Sequence, residues 1–255
     1  MLAVTVLLSG YANVAAEPNA AEFDWVSPDG VSQRLPLDGV ATIPFEHGLP
    51  VRRFIAHKGQ RHLSGRWWCA TTNGHVGFES WLERDHVMML DFDSAVVAIA
   101  AQPFWLSWSD ASGSTVRHAP DYFARRADGS AVVVDCRPIE RRRDRDRAKF
   151  EATRRICARL GWEYRLVSSV EPILVGNMRW LAGYRHPRYD HPVVAGLLVE
   201  IFATPLGLMD GAARVGDPIA VLPVLFNLLW SQTLAADLKR PMSEMSVVTV
   251  AGARS

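Results

Sequence analysis

The sequence predicts an α/β protein. A mixed central sheet is flanked by helices in the order helix, strand, strand, strand, helix, strand, and a smaller helical domain follows. Three observations carry this. Of the 255 residues, 49% are hydrophobic and 22% charged, enough apolar material to bury a core. Residues 131–134, Ala-Val-Val-Val, form a continuous β-branched run of the kind found in a central strand covered on both faces. Residues 144–160 alternate basic and apolar side chains at helical spacing. Gly161 then stands where a helix end accepts a left-handed residue, ahead of a last strand over 162–167.

The elements follow in order. Residues 1–75 are turn-rich, with short apolar runs at 40–45 and 51–56, and form a β-rich extension of the first domain. The opening 16 residues lack the basic start of a secretory signal and read as a buried strand at the domain edge. From 76 to 90 the pattern is helical: Phe78, Leu82 and Met89, with Trp81 and Met88, make one apolar stripe, and the acids at Asp91 and Asp93 end it. Residues 96–99 and 104–108 read as strands, the second bounded by Pro103 and a turn cluster over 110–114. After Pro120, a run over 122–126 meets the turn Ala127-Asp128-Gly129-Ser130 and pairs with 131–134 as a hairpin. In the helix over 144–160, Phe150, Ile156, Cys157 and Leu160 face inward. Past residue 169 the texture changes. Apolar helices over 193–202 and 219–230 and an alternating ribbon over 234–250 fit a winged-helix-like C-terminal domain of residues 170–255, set against a first domain of residues 1–169.

Net charge is +1, yet residues 117–165 hold fourteen Lys and Arg against eight acids. Such a concentration is the electrostatic footprint expected for double-stranded DNA, superimposed on an ordinary solvated helix face. Cys69, Cys136 and Cys157 match neither a disulfide framework nor a zinc pattern, and point to a reducing cytoplasm. The histidines show no HxxH or HExxH spacing, and there is no Gly-x4-Gly-Lys-Ser/Thr nucleotide loop. No run of about 18 apolar residues predicts a membrane-spanning helix. Lysine is confined to Lys58, Lys149 and Lys239.

Three carboxylates stand out. Asp121 follows Pro120, Asp135 ends the buried run Val132-Val133-Val134, and Glu83 lies on the polar face of the first helix, one turn from Glu79. An acid at the end of a buried strand is costly unless paired or metal-bound. If the hairpin is centred on Asp128, residues whose numbers sum to 256 face one another. Asp121 then stands opposite Asp135, Arg137 shares their face, and Cys136 points the other way. Carboxylates that converge at strand ends suit a hard cation, Mg²⁺ or Mn²⁺, which polarises a phosphodiester and activates water. The bland alternative is a turn Asp, a strand-end ion pair and a solvated Glu.

Pro120-Asp121, thirteen residues, then Asp135-Cys136-Arg137 resembles the PD-(D/E)xK nuclease signature, and the element order resembles that superfamily's restriction-endonuclease-like core. Ser80-Trp81-Leu82-Glu83, Leu90-Asp91-Phe92-Asp93, the stretch Val96 through Pro103, His118-Ala119-Pro120-Asp121-Tyr122-Phe123 and Gly161-Trp162-Glu163-Tyr164 are similar to TnsA-like endonuclease subunits of heteromeric transposases, over about residues 50–167. The resemblance implies a metal-dependent DNA endonuclease that cuts transposon 5′ ends. Its expected partners are a TnsB-like DDE recombinase and a TnsC-like ATPase regulator, the latter contacted by the C-terminal domain. Glu83, Asp121, Asp135 and the Cys136 carbonyl become the expected metal ligands. The family's lysine falls on Arg137, which holds charge but cannot act as a base. Lys149, on the following helix, is the lysine that could project into the site instead; the simplest alternative is exposed helix surface. Arg141, Arg142, Arg145 and Lys149 are expected to touch DNA. So are Trp67-Trp68 and Lys58 through His62, if they do not simply pack. A restriction or defence nuclease, or a non-catalytic DNA-binding or scaffolding subunit, remains the alternative.

Overall fold

The computed structural model describes residues 21–52, 64–110 and 112–252, without the side chains of Asp144 and Arg145. The opening 16 residues, expected as an edge strand, and the segment Lys58 through His62 lie outside them. The chain begins with a hairpin, β1 (Glu22–Val26) and β2 (Ser32–Pro36). A second hairpin, β3 (Gly65–Cys69) and β4 (Gly74–Phe78), precedes α1 (Trp81–Phe92). Then come β5 (Val96–Ala101), β6 (Trp105–Ser109), β7 (Thr115–His118), β8 (Tyr122–Arg126) and β9 (Ala131–Cys136). Helix α2 (Asp144–Arg159) and β10 (Glu163–Val167) complete the first part.

The central sheet runs β10-β9-β8-β5, with β10 parallel to β9 and the other pairs antiparallel. Its elements occur in the expected order α1, β5, β8, β9, α2, β10. The strand expected over 104–108 is present but leaves this sheet. As β6 it joins β7 and the first hairpin in an antiparallel sheet of order β2-β1-β6-β7.

The two faces of the central sheet bury different partners. Phe123, Ala131 and Val133 pack against Ile156 and Cys157 of α2 and the aromatics Phe23, Phe45 and Phe104. Val132, Val134, Tyr122 and Ala124 pack against Val87 and Leu90 of α1 and Cys69 and Val76 of the β3–β4 hairpin. Continuous apolar runs in β8 and β9 are what two covered faces require.

Two local expectations are corrected. The helix expected from residue 76 starts at Trp81, and Phe78 is strand. The start signal lies in Ser80 and Glu83: Ser80 Oγ accepts the Glu83 N–H at 3.2 Å, while Glu83 Oε2 accepts the N–H of Glu79, one residue before the cap, at 2.7 Å, a variant of the capping box. Asp91 does not end the helix but sits buried inside it. It accepts hydrogen bonds from Trp67 Nε1, Cys69 Sγ, and the Ala70 and Thr71 amides, and so ties the β3–β4 hairpin to α1.

Beyond β10 lie α3 (Pro172–Ala182), α4 (Pro192–Ile201), β11 (Leu206–Gly207), α5 (Leu208–Val215), α6 (Pro218–Trp230), β12 (Leu234–Ala236) and β13 (Val247–Val250). Helices α4 and α6 and the ribbon match expectation, whereas α3 and α5 escaped it. The small sheet runs β11-β13-β12, and α5 and α6 cross at 120°. No described helix is long and apolar enough by itself to cross a membrane.

Candidate active site

A turn with a glycine at φ +84°, Gly129, closes the β8–β9 hairpin. Its register pairs Tyr122 with Val134, Phe123 with Val133, Ala124 with Val132 and Arg125 with Ala131, so each pair of numbers sums to 256 as expected. The Asp121 N–H donates to the Val134 carbonyl, and the Cys136 N–H donates to Asp121 Oδ2 at 2.6 Å. The hairpin therefore delivers Asp121 and Asp135 together at the sheet end. Cys136 packs on the opposite face, against the cluster that holds Val132 and Val134.

A pocket of about 350 Å³ opens at this end, where the α1 layer, the α2 layer and the inserted β6–β7 hairpin meet. Glu83, Asp121, Asp135, Cys136, Arg137 and Lys149 line it, so six of the nine residues singled out as site residues meet in one place. Arg141 does not line it, being exposed in a short turn of helix at Ile139–Arg141. Arg142 turns to the protein: its guanidinium lies 3.3 Å from the Arg137 carbonyl and 3.5 Å from that of Leu166. The Arg145 side chain lies outside the described structure. Trp67 and Trp68 pack rather than face the pocket, with the Arg185 guanidinium 3.9 Å over the Trp67 ring.

The pocket also contains residues with no site role assigned from sequence: Arg52, Glu79, Trp105, Arg117, His118 and Phe150. His118 and Arg117 come from β7, in the other sheet. Although His118 opens one of the motifs that carry the resemblance, its place at the site was not readable, since only the fold brings β7 to the end of β9. Arg52 pairs with Glu79. Arg117 pairs with Asp24 at 3.0 Å and lies 4.8 Å over the Trp105 ring. An acidic floor thus sits inside a cationic mouth of Arg52, Arg117, Arg137 and Lys149.

The acids are strained electrostatically. Burial, then the charges of Asp135 and Glu83, push the Asp121 carboxyl well above its ordinary range. Burial likewise raises Glu83, against the pull of the Glu79 N–H and the Ser80 hydroxyl. Cys136 is raised by burial and then by Asp121. Asp135 Oδ2 lies 2.8 Å from His118 Nε2 and accepts from the Tyr164 hydroxyl at 2.6 Å. Arg137 reaches Asp146 Oδ2 only at 3.4 Å, and its buried Nε has no hydrogen-bond partner among the described residues.

Crowded carboxylates that repel one another, beside an unpartnered guanidinium nitrogen, fit a divalent cation and a phosphate in chemistry. The acids are not drawn into a ready coordination shell, however. Among the described residues no three His, Cys, Asp or Glu side chains stand close enough together to hold a metal ion. The capping box explains part of this, because it holds both Glu83 oxygens back at the helix start, Oε2 on the Glu79 N–H and Oε1 on the Ser80 hydroxyl at 2.9 Å.

Compared with curated proteins, the chain matches none. The matched stretch below covers Asp121, Asp135, Arg137 and Lys149 and leaves Glu83 outside. Residues 93–169 match the family model described as TnsA-like endonuclease N terminal, and this part of the chain is a TnsA-like endonuclease N-terminal domain.

Proposed function

We propose that the chain is a Mg²⁺- or Mn²⁺-dependent DNA endonuclease subunit of a heteromeric transposase, cutting double-stranded DNA at transposon 5′ ends on a restriction-endonuclease-like core. The observation that carries this is the meeting of Asp121, Asp135 and Arg137 in one pocket, inside the stretch that matches the endonuclease family. Asp121, Asp135 and the Cys136 carbonyl would hold the metal, with Glu83 behind them, and the ion would supply Lewis-acid polarisation of the phosphodiester and of water. The chain's own part is positioning and charge. Arg137, whose side chain is 42% exposed in the pocket, offers its guanidinium to the scissile phosphate and offsets the charge that grows there. Arg52 and Arg117 at the mouth, opposite Lys149, suit the flanking phosphates.

Residues 170–255 are assigned the partner contact. Their order α4, β11, α5, α6, β12, β13 is winged-helix-like, yet α6 contains no Lys or Arg, which favours a protein surface over a DNA groove. The recombinase, the ATPase regulator and a cytoplasmic, nucleoid-associated location belong to the same reading.

Single-turnover cleavage of a transposon-end duplex with Mn²⁺, partners present, tests it. Wild type is expected to cut and Asp121→Asn to be inactive. One observation favours a second reading, a non-catalytic DNA-binding subunit: arginine stands where the family carries lysine. Binding without cleavage by wild type selects that reading. Cleavage of unrelated duplexes without partners selects a restriction or defence nuclease.

A further inference from the structure

We infer that His118 and Tyr164 are positioning residues that commit one oxygen of Asp135, leave the other for a divalent cation, and thereby set how tightly that cation binds. The inference rests on the metal-dependent reading of the pocket and deepens it.

Both contacts fall on one atom. His118 Nε2 lies 2.8 Å from Asp135 Oδ2, and the Tyr164 hydroxyl donates to the same oxygen at 2.6 Å. A carboxylate oxygen has two lone pairs, so two donors saturate Oδ2 and Oδ1 is the oxygen left to present. Oδ1 has no partner among the described residues. The imidazole acts as donor in the tautomer that carries its proton on Nε2.

The two donors are fixed by different parts of the fold. His118 ends β7, pairs with Leu106 in the inserted sheet and is 7% exposed. Its ring meets the Phe150 ring of α2 edge-on, centroids 5.8 Å apart. Tyr164 lies on β10, in parallel register with Val133 of β9. Its hydroxyl is the donor of the pair, because an ionised carboxylate oxygen can only accept. A carboxylate clamped from two sides cannot rotate to chelate through both oxygens, and it arrives pre-oriented. Partners of this kind behind a metal ligand typically change affinity about tenfold to a hundredfold when removed.

The competing explanation is that His118 and Tyr164 merely satisfy a buried acid. A structural bond lowers melting temperature and leaves metal affinity alone in protein that is still folded. The test is Mn²⁺ binding to the full chain, followed by electron paramagnetic resonance and calorimetry, alongside melting curves. Tyr164→Phe removes one oxygen and no volume of consequence. His118→Leu removes the nitrogen donor, and His118→Gln places an amide nitrogen near the same point. Tyr164→Phe and His118→Leu are expected to weaken Mn²⁺ binding about tenfold or more, with a smaller fall in single-turnover rate at saturating Mn²⁺, while His118→Gln stays within a few-fold of wild type. The inference is overturned if folded Tyr164→Phe and His118→Leu bind Mn²⁺ as wild type does, or if His118→Gln is as weak as His118→Leu. Asp121→Asn separates the two levels. Should wild type bind no Mn²⁺, or Asp121→Asn bind it normally, the reading of the pocket fails and the inference with it.

Discussion

At the scale of single residues, Asp121 gives a pH dependence whose sign is fixed. Its carboxyl titrates above the ordinary 3.8 because the folded state buries it beside other acids. A group whose folded value is raised contributes stability that is complete below its unfolded value and lost as pH rises through the folded one. Asp121→Asn keeps the acceptor for the Cys136 N–H and removes the charge. Its melting temperature is therefore expected to exceed wild type at pH 7 to 8, with the advantage shrinking as pH falls towards 3.8. Thermal melts over that range check this, and a drop of many degrees at neutral pH would place Asp121 in a structural network. On the proposed reading, Arg137 rather than Lys149 stands in for the lysine that the resemblance implies. Lys149 Nζ stands 5.5 Å over the Phe150 ring and 3.9 Å from Asp146, drawn towards its own helix, whereas Arg137 has a free Nε. Arg137→Ala is expected to cost about 3 kcal/mol of transition-state stabilisation, on the order of a hundredfold in rate. Arg137→Lys keeps or raises activity, and Lys149→Ala costs less than tenfold. An inactive Lys149→Ala beside an active Arg137→Ala would show that the functional lysine has moved to α2. The acids were legible because an Asp that ends an apolar run is conspicuous. His118, Arg52 and Arg117 were not, since only tertiary packing brings them to the same place.

At the scale of elements, legibility followed the strength of local signals. The β8–β9 hairpin was readable to the residue: Asp128-Gly129 dictates its turn, and β-branched residues on both covered faces mark β9. The β3–β4 hairpin was missed because Gly74 and Gly77 dilute it and its anchor, Asp91, is twenty residues away in sequence. Helix α3 carries its own start signal, Glu171 capping the Ile173 and Leu174 amides ahead of Pro172, and was readable from that signal yet passed over. The basic segment around α2 shows why charge runs need a structure. Arg142 is occupied with the Arg137 and Leu166 carbonyls, so Arg142→Ala is expected to lower stability and leave the salt dependence of DNA binding unchanged. Arg52 and Arg117 line the pocket mouth, and replacing both by alanine should shrink the slope of log K against log salt by up to about 0.9 per contact. Binding isotherms between low and moderate salt measure both. The same slope after Arg52 and Arg117 are lost would send the DNA along another face.

At the scale of the whole molecule, the question is whether residues 170–255 unfold with the nuclease part or by themselves. Helix α1 joins them. One side of it carries Glu83 to the pocket; Met88, fully buried, belongs to the apolar cluster of α3 to α6 rather than to the sheet's clusters. Polar contacts reinforce the joint. The Arg179 guanidinium grips the Asp85 carboxylate at 2.6 and 3.1 Å, Arg185 Nε donates to the Trp68 carbonyl at 2.8 Å, and Gln232 donates to the Phe92 carbonyl. In the Arg179–Asp85 pair the acid is buried but the guanidinium is half-exposed, which limits its contribution, so the apolar contact decides. Removing a buried methionine side chain costs about 2–5 kcal/mol, a large fraction of the stability of an ordinary domain. Met88→Ala is therefore expected to lower one cooperative transition as a unit, with calorimetric and van't Hoff enthalpies in agreement before and after. Two resolved transitions, of which Met88→Ala moves one, would instead show that the C-terminal helices fold independently. In that case a partner bound to them could reach Glu83 only through direct contact and not through the shared helix.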